Sequence, residues 1–514
     1  MKKSICQIFL CGMLLISTQN ILGQSASQLL SFEEAYQMME QRNPGLLRMK
    51  EQIRQKEFEQ KVKNGLQMPT ISLNAQAVTM SDPLHLDLTS VRDAILPLYT
   101  TLGNYGVFSG VPNPDASTSA AMPVLTDDLS TQAVRTNLLK AADKIEAADW
   151  DKTIQKKNFA TVSASFSWPI YAGSKIRGAK QAAGVNLDIS KEDLRVKQGA
   201  MLAELVQRYY GLELGLQVEQ VRKQMLASMT KHYNDAQKMF DNGMIAKVEL
   251  LHAEVSKNEA YREYKQAIRN LEIIRSGLTA TLANDSLGKV FPTSHLFINK
   301  EISALPDWVA RAQKENPQLQ QIQGKKELVR IKYKVNKRDY LPTIAMMGNY
   351  NIADKNLSEY MPDWMVGIGM KWTLFNGMGR NNEVHVSETM LNQVEYAGQK
   401  ANDDIEAYLT KLYQQLHMQM EQKAELETTL ELAEEYVSST EKAFNEGFAS
   451  STSVVEAHTK VAQVKALRLK VLYDYDVSLA CFLQVVGAPG EFISFSKGAN
   501  TISESLENKK DNHE

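Results

Sequence analysis

Cysteine is scarce in this 514-residue chain: of three, Cys6 and Cys11 lie in the first dozen residues and only Cys481 stands beyond them. A region that keeps one cysteine can form no internal disulfide, so the fold must be stable without staples. An excess of charge of one sign is equally absent, with 58 Lys and Arg against 60 Asp and Glu and a formal charge of -2. Phosphate recognition needs concentrated cations, so no nucleic-acid partner is expected. Past residue 23 no run of 18 apolar residues occurs. That excludes helical membrane spans but not membrane barrels. Catalytic patterns are missing too: the eight histidines are scattered without a His-Glu-x-x-His, no Cys-x-x-Cys or nucleophile elbow appears, and Gly367-Ile368-Gly369 lacks the third glycine of a dinucleotide loop. We expect no enzyme, no cofactor and no metal, and assign no catalytic residue.

What is present begins with an export pattern. Lys2 and Lys3 precede an apolar stretch from Ile5 to Ile16, followed by small and polar residues around Gly23, Gln24, Ser25 and Ala26. This is the layout of a secretory signal, cleaved between residues 23 and 27; a short buried helix is the alternative. Phe9 and Leu10 stand before Cys11 where a lipobox needs small residues, so no lipid anchor is expected.

The chain is written twice. Asn43-Pro44-Gly45-Leu46 recurs as Asn316-Pro317-Gln318-Leu319, and Met68-Pro69-Thr70-Ile71 as Leu341-Pro342-Thr343-Ile344, both 273 residues on. Trp168, Gly173, Phe240, Gly243 and Ala253 recur as Trp372, Gly377, Phe444, Gly447 and Ala457, 204 residues on. The difference of 69 residues is an insertion in the first half. A period this long marks a duplicated domain rather than a solenoid. Each half is expected to run short helix, strand, strand, long helix, helix.

Proline is missing from the 122 residues between Pro169 and Pro292 and from the 126 between Pro362 and Pro489. Both stretches are rich in helix formers, and Leu205, Tyr209, Leu212 and Leu216 step by four, three and four, the seam of packed helices. Ile268, Leu271, Leu278 and Leu282 do the same around Arg275. A helix from about Ser174 to Phe240 has a length of roughly 100 Å. Each stretch breaks at a glycine turn, Asp241-Asn242-Gly243 or Asn445-Glu446-Gly447, and so reads as a long helical hairpin. Helices alone leave open a coiled-coil rod or an ordinary bundle.

Strands decide between them. Thr161, Ser163, Ser165 and Ser167 alternate with Val162, Ala164, Phe166, Trp168 and Ile170. Trp364, Val366, Ile368, Met370, Trp372 and Leu374 form one face of the second-half partner; Ile71, Leu73, Ala75 and Ala77, and Ile344, Met346, Tyr350 and Ile352, supply two more. About ten residues cross a bilayer when tilted, and aromatics gather at the strand ends as interface girdles do. A soluble sandwich shares the alternation but not the long helices or the export signal. Four strands cannot close a barrel, and an open edge in lipid leaves backbone groups unpaired. Two copies make eight strands and three make twelve; polar inward faces favour the wider, wet barrel.

These features together resemble the TolC-like outer-membrane efflux family over residues 31 to 488, outside the insertion. The segments Phe240-Asp241-Asn242-Gly243-Met244-Ile245-Ala246-Lys247-Val248-Glu249-Leu250-Leu251 and Phe444-Asn445-Glu446-Gly447-Phe448-Ala449-Ser450-Ser451-Thr452-Ser453-Val454-Val455-Glu456-Ala457 carry it best. The resemblance implies a mainly α protein with a membrane β-barrel: a homotrimer whose twelve-stranded barrel continues as a helical barrel through the periplasm. It implies a passive exit duct in the outer membrane, for efflux or type I secretion, docked on a periplasmic adaptor and an inner-membrane pump of RND, ABC or MFS type. The glycine turns, with Phe240, Asn242, Gly243, Asn445, Gly447 and Phe448, become the adaptor-docking tip; Glu249 and Glu456, taken as matching positions, and Phe444 become the constriction. Solvated charges near helix starts are the other reading of the two glutamates. Phe166, Trp168, Trp364 and Trp372 face outer-membrane lipid, and Pro69 and Pro342 mark the helix-to-strand junctions. Phe444 and Ala449 stand where one well-known family pattern has tyrosine and arginine, so no tyrosine-arginine latch carries over.

The expected layout is a signal at 1–23, a first half at 31–287 with its insertion at 80–158, a linker at 288–304, a second half at 305–488 and a polar, poorly ordered tail at 489–514. The insertion holds helices near Ser90 to Thr101 and Leu129 to Ala148 around a loop at Val111-Pro112-Asn113-Pro114-Asp115. We read it as a folded cap or partial plug over the outer mouth, with a floppy loop as the alternative. A periplasmic adaptor or coiled-coil scaffold and an exported enzyme are the rival functions.

Overall fold

Where the two helical seams and four alternating stretches predict elements, a computed structural model places them, describing residues 28–284, 289–498 and 501–504. The export signal lies outside the described residues. The first half runs β1 (Gln28–Leu30), α1 (Phe32–Arg42), α2 (Pro44–Gly65), β2 (Thr70–Thr79), then the insertion as β3 (Leu84–Asp87), α3 (Thr89–Tyr105), α4 (Asp127–Ala147) and β4 (Asp151–Gln155), then β5 (Asn158–Ala172), α5 (Lys175–Asp241) and α6 (Lys247–Leu282). Two short strands, β6 (Val290–Pro292) and β7 (Leu296–Asn299), lead to the second half: α7 (Leu305–Glu315), α8 (Pro317–Lys337), β8 (Thr343–Lys355), β9 (Trp364–Lys371), α9 (Gly379–Asn445) and α10 (Ser451–Val486). The described residues end in α11 (Glu491–Ser496) and β10 (Thr501–Glu504).

In the long helices the repeat holds residue for residue. α5 and α9 both have 67 residues and α6 and α10 both have 36, about 100 Å and 54 Å at 1.5 Å per residue. Each half differs from expectation in one respect: its opening helix is broken in two at Asn-Pro. Ser31 begins α1 with a capping box, its hydroxyl accepting from the Glu34 N–H while Glu34 accepts from the Ser31 N–H. Asn43 and Asn316 then cap the starts of α2 and α8 through their side chains alone. The Asn43 Oδ1 accepts from Gly45 N–H at 2.9 Å and its Nδ2 donates to the Thr281 carbonyl at 3.1 Å; the Asn316 Oδ1 accepts from Gln318 N–H at 2.8 Å and its Nδ2 donates to Val485 at 2.7 Å. The Asn-Pro motif is thus a bracket that caps one helix and ties it to the end of another.

Two compact units result: a sheet unit, Asn64–Arg177 with Lys337–Arg380, and a helical unit formed by the remainder. The helical unit has its core where the α5 and α10 seams meet β6 and β7. Leu205, Tyr209 and Leu212 are fully buried, as are Leu278 and Leu282; Arg275, the break in the α6 seam, lays its guanidinium 5.4 Å from the Phe291 ring. Tyr209 donates to the Leu30 carbonyl at 2.6 Å and accepts from Thr293 and Ser294 N–H, joining α5 to the ends of β1 and β6.

Two expectations are corrected here. The segment read as a linker contributes Leu296, Phe297 and Ile298 to the core. The tail, read as poorly ordered from Glu491 onward, is folded over its described residues: Phe492 is fully buried against Phe32, Tyr210 and Phe297, and β10 pairs antiparallel with β7, while 499–500 and 505–514 lie outside the described residues. Its polar residues surround aromatic anchors, Phe492 and, against Trp308, Phe495, and Arg311 pairs with Glu491 beside them.

In the sheet unit the strand order is β2-β5-β8-β9, all antiparallel. The insertion is folded. Its helices pack as an antiparallel pair in which Gly103 of α3 sits under Leu139 of α4, where a Cβ would stand 2.8 Å from the leucine side chain. Thr131 and Phe108 exchange two hydrogen bonds at 2.9 Å, and Arg135 donates to the Gly106 carbonyl at 2.8 Å.

Candidate functional site

Register turns the alternation of single strands into two continuous faces. Ile71 stands opposite Phe166, Phe166 opposite Gly348 and Gly348 opposite Val366; one step along, Trp168 meets Met346 and Met346 meets Ile368. Cross-strand partners point to the same side, so the apolar residues form one face across all four strands. That face is uncovered: Ile71 is 79% exposed and Ile368 70%. The opposite face carries Ser72, Asn74, Ser163, Ser165 and Asn349, where Ser72 and Ser165 share a 2.8 Å hydrogen bond and Asn74 donates to Ser165 at 2.8 Å. A contiguous exposed apolar sheet face backed by a hydrogen-bonded polar one suits a wall between hydrocarbon and water. Two expected positions depart: a bulge between Val162 and Ser163 leaves Ile352 unpaired and shifts the alternation, so that Asp354 joins Thr161 on the polar face, and a second between Pro169 and Tyr171 leaves Ile170 unpaired.

The tryptophans expected at the membrane also lock the junctions. Trp168 Nε1 donates to the Gln67 carbonyl at 3.0 Å and Trp372 Nε1 to the Tyr340 carbonyl at 2.9 Å. Gln67 and Tyr340 each lie two residues before the junction prolines, Pro69 and Pro342. Both indoles therefore pin the peptide entering a strand while leaving much of the ring exposed.

At the other candidate region the two hairpin turns close alike. Gly243 and Gly447 take φ of +72° and +82°; Met244 N–H donates to Met239 and Phe448 N–H to Ala443, at 2.8 and 2.7 Å. This is a Schellman closure, which requires a left-handed residue and so selects glycine. Asn242 donates from Nδ2 to the Lys238 carbonyl, and Asn445 ends α9 exposed. Phe240 is half-buried, whereas the residues after the glycines, Met244 and Phe448, project into solvent, Phe448 at 85%.

The expected constriction residues separate. Phe444 is buried in a cluster with Ala236, Ala253 and Val454, its ring 4.8 Å from that of His232, so it belongs to the interior of the chain and not to an open passage. Glu249 and Glu456 are not repeat partners, since 204 residues relate Glu249 to Ser453 and His252 to Glu456. Glu249 accepts a hydrogen bond from Ser451 N–H at 2.8 Å, capping the start of α10 from the neighbouring hairpin, where the helix dipole favours an anion. Glu456 is exposed on the second turn of α10.

Sequence reasoning missed the histidines beside these caps. His232 on α5 is 6% exposed and bonds through Nε2 to the Ser451 hydroxyl at 2.7 Å. Burial pushes its pKa down to about 4, assisted by His458 and His252 and opposed by Asp235 and Glu441. His458 meets Glu441 at 2.9 Å, and Lys231 reaches the same carboxylate. The clue lay in the turn: His232 and His252 stand eleven residues before and nine after Gly243, and a hairpin brings such positions together.

The model of the family described as outer membrane efflux protein matches residues 120–284 and 308–488. No curated protein is detectably similar in sequence. Among solved structures, the CmeC outer membrane channel of Campylobacter jejuni is 13% identical, with 89% of this chain and 86% of that chain covered and a TM-score of 0.66. The outer membrane protein VceC of Vibrio cholerae is 11% identical over 89% and 96%, at 0.65, and the open state of the MtrE outer membrane channel of Neisseria gonorrhoeae is 10% identical over 89% and 89%, at 0.64. Identities this low speak for a shared fold alone.

Proposed function

Because the chain belongs to the outer membrane efflux protein family, whose members are non-catalytic exit ducts of the outer membrane, we propose that three copies close one twelve-stranded barrel and continue it as a helical barrel into the periplasm. The chain serves a tripartite efflux or secretion system. The observation that carries the trimer is the open sheet: its apolar face is exposed, and β2 and β9 each pair on one side only among the described residues. An unpaired edge in hydrocarbon costs several kcal/mol per group, so closure by further copies is required. Three copies supply twelve strands and a lumen lined by Ser72, Asn74, Ser163 and Ser165, wide enough to stay wet.

Partners follow from the tips. Met244 and Phe448, repeat-matched and exposed beside the glycine turns, are apolar contacts for a periplasmic adaptor, which couples the duct to an inner-membrane pump that provides the energy. Three Glu456 carboxylates brought close together attract cations and resist closure until neutralised; Glu249 acts on that gate by fixing the start of α10.

The decisive measurement is the oligomeric mass of detergent-extracted protein, with bilayer conductance on the same sample. A trimeric mass with channel activity is expected, and a monomer soluble without detergent refutes the reading. For the gate, Glu456→Gln lowers cation preference in single-channel recordings; unchanged selectivity removes Glu456 from that role.

A further inference from the structure

We propose that the insertion is a subunit-bridging cap, in which the apolar stripe of α3 seats on the insertion of the next copy of this chain around the barrel; this rests on the trimeric reading. Its base is an interrupted extension of the barrel wall. β2 pairs with β5 up to Thr79 and Asn158, Met80 N–H still donates to the Lys157 carbonyl, and pairing resumes as β3 with β4 from Leu84 and Gln155. β3 therefore continues the open edge of β2, the edge that must meet a neighbouring copy if the barrel closes.

The other side of this ribbon meets its own chain at the Gln155 end. Gln155 on β4 donates to the Asn356 carbonyl at 2.8 Å and accepts from Ser358 N–H at 2.9 Å, and Asn356 donates to the Asn158 carbonyl at 3.1 Å, so the turn between β8 and β9 of the same chain covers it. Neither β3 nor β4 has a second strand partner among the described residues, but the β3 side also lacks the turn contacts made by β4, and there Leu84 and Leu86 are exposed.

α3 follows directly. Val91, Leu98, Leu102 and Tyr105 step by seven, four and three, the spacing of a helix-packing seam. The seam is not used within the chain: Leu98 is 57% and Tyr105 79% exposed. The helix carries only two charged residues, Arg92 and Asp93, and they neutralise each other at 2.8 Å. A nearly uncharged surface helix with an uncovered seam, continuing an edge that needs a second copy, is matched by that copy.

The test uses labelling rates. In a Cys481→Ser background of the full-length protein, Leu98→Cys and the loop control Ala116→Cys are reacted with a membrane-impermeant maleimide, in the detergent-extracted oligomer and after denaturation, with the mass measured on the same samples. The expected result is a trimeric mass with Leu98→Cys labelled at least tenfold more slowly in the oligomer than when denatured, while Ala116→Cys labels at similar rates in both. A trimer in which both positions label equally fast overturns the cap and leaves the trimer standing. Protection seen in membranes but lost in the detergent trimer also overturns it, since lipid or an external protein then covers the helix. A monomeric mass overturns both.

Discussion

Acidification should loosen the hairpin tips through His232. Its ring is held neutral in the folded chain, with a pKa of about 4 against 6.5 for a free histidine. As pH falls the unfolded form therefore takes up a proton first. The stability that comes from keeping this ring neutral is complete above pH 6.5 and is lost progressively between 6.5 and 4. At 1.36 kcal/mol per unit the gap corresponds to about 3 kcal/mol, a figure that already includes Asp235 on the same helix and Glu441 on α9, which favour the charged form, and His252 on α6 and His458 on α10, which oppose it. A charged His232 can only donate to the Ser451 hydroxyl, inside a cluster lined by Phe444 and Val454. Hydrogen exchange of the α10 start, corrected for intrinsic rates, should accelerate by roughly 30- to 150-fold between pH 7.5 and 4.5, as local opening loses about 2–3 kcal/mol. His232→Phe, similar in size and without a titrating group, should remove most of that dependence. An equally steep pH response in His232→Phe refutes the assignment.

Other perturbations test separate parts of the argument. Ile368→Arg places a cation in the middle of the exposed apolar face of β9 and should destabilise the membrane-inserted form by about 2–4 kcal/mol, seen as loss of a heat-stable oligomer, while the same change at Ser165 on the polar face is tolerated. Asn316→Ala removes a cap and leaves the Val485 carbonyl without its side-chain donor, a loss of about 2–4 kcal/mol in denaturant unfolding; a change below 1 kcal/mol contradicts the bracket. Phe492→Ala should cost about 3–5 kcal/mol by opening a cavity among Phe32, Tyr210 and Phe297, and an unaffected midpoint would show the tail to be dispensable.

Much of this molecule is legible because its patterns are local. A strand facing lipid on one side and water on the other must alternate, a helix in a seam must repeat every three or four residues, and a left-handed helix end selects glycine. Two constant offsets thus place the boundaries of both 67-residue helices and both tip turns within a residue or so. What lay outside such patterns depends on residues brought together from distant segments: Glu249 capping α10 across 202 positions, His232 meeting Ser451 across 219, and the ring of Phe492 anchoring a polar tail. Phe444 shows the limit most clearly, because whether a ring at a turn faces a passage or its own core depends on the neighbouring hairpin and not on its spacing. Sequence by itself determined the duplication, the long helices and the two-faced strands, since each is encoded in short-range periodicity. Only the tertiary structure decided which caps, histidines and aromatic anchors meet, since those contacts exist only once separate helices are packed.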